Sequence, residues 1–196
     1  MSVTAREFWT LVHGMGLGAI FLLAFAGGLA GLWSLRPEFI TEAGLRDRVR
    51  RLTWGTWMMA LVAWLTVIVG TYTSYPWYRA KPPEGSAAAA LVEKAKTAEL
   101  TAAEKTELLQ HPRYYLLSNE HTAGWHEFGM EWKEHVAWLS PILATCVAVI
   151  VTGYGTQLLR EQKLRRALML LFVLAFLAAA VAGLFGALIT KAAPIL

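Results

Sequence analysis

Three of the five histidines, four glutamates and three tryptophans fall between Asn119 and Trp138, in the stretch NEHTAGWHEFGMEWKEHVAW. Imidazoles and carboxylates at that density, leading into a long apolar run, are costly in lipid unless they bind or pair with something. The stretch therefore reads as one wall of a site. His126, Glu127, Glu131, Glu134 and His135, with or without His121, are metal-ligating residue types. Helical geometry spreads them, because His126 and His135 project to opposite faces and His121 and His126 also diverge. Neither an HExxH pair nor a two-His, one-carboxylate spacing occurs. A metal site at His121, His126 and Glu127 is therefore an alternative reading, beside that of a solvated charged helix.

The elements that must position these residues follow from hydropathy. The chain has 196 residues, is 56% hydrophobic and only 16% charged, and has a mean hydropathy of +0.43, which suits a bilayer rather than an ordinary soluble domain. Apolar runs at about 8–35, 52–75, 133–159 and 167–189 are each long enough to span. The expected fold is all-α: a polytopic membrane four-helix bundle forming a single domain, 1–196, with a long, partly helical extracytoplasmic loop, 78–132, between the second and third spans. Arg6, the apolar stretch after it and Ala24-Phe25-Ala26 have the look of a signal peptide. The run continues past Ala26, however, which suits a retained helix. Pro76 is expected to end the second span, and Pro141 is a candidate kink in the third. Thr101 to Glu104 matches a capping box, and His111-Pro112 should stop the helix that it opens. Gly14 with Gly18 and Gly27 with Gly31 give small-xxx-small pairs suited to close helix packing. Cys146, the single cysteine, reads as a small buried hydrophobe.

Basic residues set the expected orientation. Arg36 to Arg51 holds five basic and three acidic residues, and Arg160 to Arg166 four basic and one acidic, whereas the long loop carries six basic against eight acidic. The two short loops should be cytoplasmic, with both termini and the long loop outside. The net charge of +4 flanks apolar segments and so marks topology rather than a nucleic-acid surface.

This topology puts every histidine on one side of the membrane. His13 lies near the outer end of span one and His135 at the outer end of span three, so a b-type haem held between these two imidazoles is the leading site. Gly14 and Gly16 leave room beside His13, and Glu131, one turn before His135, would accept its other ring proton. At His13 and His135 the chain resembles the small four-helix b-type cytochromes of bacterial membranes. That resemblance implies haem b as cofactor, electron exchange with quinone or a partner cytochrome, and a place in the bacterial cytoplasmic (inner) membrane. The chain lacks the inner layer of histidines that several of those families carry, which leaves a single outer centre. Equally open is a cofactor-free accessory or scaffold subunit of a larger respiratory or photosynthetic complex, with a protein partner or a second copy in the membrane. The sequence has no nucleophile elbow, P-loop or dinucleotide turn, which disfavours a stand-alone enzyme.

Overall fold

Thr4 closes a capping box with Glu7, accepting from the Glu7 amide at 3.2 Å while its own amide donates to the Glu7 carboxylate at 2.7 Å. The first long helix starts there. In the computed structural model, which describes residues 3–193 apart from the side chains of residues 42 and 43, every regular element is helical. Helices α1 (Ala5–Ser34) and α2 (Gly44–Arg79) precede three short ones, α3 (Ala87–Lys94), α4 (Ala102–Glu107) and α5 (Pro112–Leu117). Helices α6 (Glu120–Leu159) and α7 (Gln162–Ala192) follow. Of these, α1, α2, α6 and α7 are long and apolar enough to cross a membrane.

Helix α2 packs against α1 and α6, and α7 packs against α6 and α1. Phe172, Leu32, Met59, Val147 and Leu168 are fully buried where these helices meet. Phe25 stacks on Phe176 with ring centroids 4.1 Å apart, joining α1 to α7. Two indoles link α2 to α6: Trp57 Nε1 donates to Thr152 Oγ1 at 3.0 Å and Trp64 Nε1 to Thr145 Oγ1 at 3.1 Å. Each hydroxyl also donates to a carbonyl one turn back in α6, so neither polar group is left bare among apolar neighbours.

Several sequence expectations change. Pro76 does not end α2, which continues to Arg79. A π-helical turn, Gly70–Ser74, lies just before it, and its wider loop moves away the carbonyl that the proline ring would otherwise meet. The helix of the third span does start a few turns ahead of Lys133, as expected of a helix that begins outside the hydrocarbon: α6 opens at Glu120, where Asn119 caps it by accepting from the His121 amide at 2.9 Å. Cys146 is exposed rather than buried. Of the four glycines in the two small-xxx-small pairs only Gly31 meets a neighbour, Leu52; a Cβ on Gly14, Gly18 or Gly27 would touch nothing within 4 Å. Leu116, buried in α5, joins Tyr78, Met130 and Ile189 in a small core at the end of the bundle. We call this the cap end.

Candidate functional site

Three of the four long helices carry a π-helical turn: Val12–Gly16 in α1, Gly70–Ser74 in α2 and Trp125–Met130 in α6. One inserted residue per turn loosens the backbone ladder and re-aims the side chains around it, and such turns collect at functional sites. His13 sits in the first of them, and its ring lies over Gly70 in the second. A Cβ on Gly70 would be 2.7 Å from the ring's Cε1, so only glycine admits the imidazole there. The Thr66 backbone, one turn earlier in α2, is within reach of the same ring. His13 Nδ1 is nevertheless buried with no hydrogen-bond partner among the described residues.

Lys133 of α6 approaches from the other side. Its ammonium lies within electrostatic range of the His13 ring and packs on Gly186 of α7, where a Cβ would be 2.9 Å from Nζ. Among the described residues Lys133 is in no ion pair. An imidazole nitrogen and an ammonium without a protein acceptor thus meet where α1, α2, α6 and α7 converge. A buried ring nitrogen left as His13 Nδ1 is costs free energy unless a ligand supplies a hydrogen-bond partner. Flat apolar surface adjoins them. Phe185, next to Gly186, packs on Gly129 and lies 5.4 Å from Phe128, 6.4 Å from Trp132 and 6.5 Å from Trp125, centroid to centroid.

His135 lies in different surroundings. Its side chain is 70% exposed, and Nδ1 sits 3.1 Å from the Glu131 carbonyl and 3.3 Å from the Glu131 carboxylate. Phe128, Leu139 and Ile142, on the same stripe of α6, are exposed with it. Lys133 and His135 differ by about 200° around a helix of 3.6 residues per turn, so when Lys133 turns toward His13 its neighbour turns out. His13 packs on Gly70 of α2, whereas His135 is exposed beside Glu131, so no hydrogen bond or packing contact joins the two imidazoles among the described residues. Gly16 is exposed, and only its own helix lies near it.

The remaining histidines are apart from one another. His126 Nδ1 lies 2.8 Å from the Tyr78 hydroxyl, while His121 and Glu127 are exposed. His111 Nδ1 is 3.2 Å from the Ala80 carbonyl. No group of three His, Cys, Asp or Glu side chains able to hold a metal ion occurs among the described residues, so His121, His126 and Glu127 are not brought together. The sequence reading missed Lys133, Thr66 and Gly70. Lys133 carries a signal in the sequence, as a cation between Glu131 and Glu134 at the head of the apolar run 133–159. Comparisons with protein-family models, curated proteins and solved structures returned no match.

Proposed function

We propose that the chain is a multi-pass membrane subunit that holds the headgroup of a lipid-soluble quinone between α1, α2 and α6 at the cap end, and through it exchanges electrons and protons with a partner protein. The observation that carries this reading is the buried His13 Nδ1, without a partner, beside the unpaired Lys133 ammonium. A quinone offers what these groups lack, carbonyl oxygens on a planar apolar ring that partitions into lipid. His13 in its Nδ1–H tautomer would donate to one carbonyl oxygen and Lys133 would donate to an oxygen of the same headgroup. The aromatic surface of Trp125, Trp132 and Phe185 would flank the ring. By the distribution of arginines the site faces away from the cytoplasm, in a bacterial inner membrane.

The test is binding by the purified protein in detergent. A short-chain quinone should quench tryptophan fluorescence saturably, and His13→Leu and Lys133→Met should each weaken binding about tenfold, the effect of losing one buried hydrogen bond. Affinity unchanged in both variants overturns the proposal. A Soret band that shifts on reduction would replace the quinone with haem b, for which His135 would have to leave Glu131 and turn inward. Neither band nor saturable binding would leave the accessory-subunit reading in its place.

A further inference from the structure

A second set of polar groups lies at the cap end, apart from His13 and Lys133. Helix α5 packs against the last turn of α2 and against the π turn of α6, and the His111–Ala80 contact ties the start of α5 to the end of α2. This docking brings Arg113 of α5 toward Arg79 of α2. Both guanidinium groups lie within electrostatic range of the Tyr78 hydroxyl and of His126, which are bonded to each other. Arg79 donates to the Tyr75 hydroxyl at 2.8 Å and lies 5.2 Å over that ring. Arg113 lies 5.9 Å from the Tyr114 ring centroid, and its Nε is buried with no partner among the described residues.

Neither guanidinium is in an ion pair among the described residues. The carboxylates that face the cluster are Glu134, in range of Tyr75, Tyr78 and His126, and the exposed Glu127, in range of His126. Two guanidinium groups in range of one hydroxyl, one of them with a buried N–H left over, offer planar donor forks that match the oxygens of a phosphate better than a single carboxylate. Arg79 is exposed at the very end of α2, where a long cationic side chain reaches the headgroup layer.

We infer that Arg79 and Arg113, near the bonded Tyr78 hydroxyl and His126, bind a phosphate group at the cap end of the bundle. A phospholipid headgroup and a soluble phosphate share this chemistry, and the experiment separates them. Full-length protein in detergent is titrated calorimetrically with dihexanoyl phosphatidylglycerol, with inorganic phosphate and with dihexanoylglycerol, which has no phosphate. The phospholipid should bind saturably and the diacylglycerol should not. Free phosphate binding as tightly as the phospholipid assigns the site to a soluble anion. Arg79→Gln and Arg113→Gln should each weaken binding about tenfold. Should Arg113→Gln fail to fold, the exposed Arg79→Gln still decides, with thermal unfolding as its check. The inference is overturned if the diacylglycerol binds as tightly as the phospholipid, or if Arg79→Gln binds like the unsubstituted chain. Lys133→Met, which acts on the quinone site, should leave phosphate binding intact, so the two readings fail separately.

Discussion

The imidazole of His13 fills the space that a side chain at residue 70 would need, with Cε1 2.7 Å from where the Gly70 Cβ would be. The site is thus built by subtraction, a π turn in each helix and a missing side chain in one. Gly70→Ala forces the ring off Gly70 and should destabilise the protein by about 1–3 kcal/mol, as overpacking does, and weaken quinone binding with it. Gly14→Ala, beside His13 but with nothing within 4 Å of its Cβ, should be neutral or slightly stabilising. Thermal unfolding in detergent separates the two. Equal melting temperatures would mean that His13 is not held against α2.

Adjacent glycines in α1 should behave oppositely. A Cβ on Gly28 would lie 2.7 Å from two ring carbons of Phe172, which is fully buried and has no room to yield, whereas one on Gly27 would meet nothing. Gly28→Ala should therefore lower the melting temperature while Gly27→Ala leaves it unchanged or raises it. A reversed order would place the α1–α7 contact on the wrong face.

The four apolar runs, the Thr101 capping box and the closeness of Glu131 to His135 were legible because each is local, set by hydropathy, by one turn's spacing or by a cap. The site was not. His13 and Gly70 are far apart in sequence, and no period couples them; only the packing of α1 on α2 does. The π turn at Trp125–Met130 shifts the helical phase of α6, and Lys133, two residues from His135, takes the inward direction in place of the histidine. Gly27 and Gly31 were read as a pair by spacing, yet the chain packs Gly28 and Gly31. Spacing alone says which residues share a face, not which face another helix covers.

Arg165 is one of the four basic residues of the short loop Arg160 to Arg166, yet it is 6% exposed. Its Nη1 donates to the Leu158 carbonyl at 2.8 Å and to the Leu159 carbonyl at 2.6 Å, closing the turn in which α6 ends after Gly155 adopts a φ of +52°. Helix-terminal carbonyls left without donors are destabilising. Arg165→Met, which keeps the stem and removes the charged donor, should cost about 1.5–3 kcal/mol, the range for a hydrogen bond from a charged group. The loss would appear as a lower melting temperature and faster protease cleavage near residue 160. Arg166→Met, at an exposed neighbour, is the control and should change neither.

The Lys94–Glu104 ion pair, 2.5 Å long, clamps α3 to the start of α4. Its hydrogen bond, with the Thr101 amide second, holds the Glu104 carboxyl down at about 2, against an ordinary value of 4.5. A carboxyl whose folded value is depressed stabilises the fold above its unfolded value, and that contribution is lost as pH falls through the folded one. The clamp should therefore hold at neutral pH and weaken progressively between about pH 4.5 and 2, an effect kept modest by exposure to solvent. Amide hydrogen exchange at residues 101–107, corrected for the intrinsic pH dependence of exchange, should lose protection across that window. Glu104→Gln should flatten the pH dependence while leaving α6 and α7 protected. An unchanged profile in that variant would assign the loss of protection to other carboxylates.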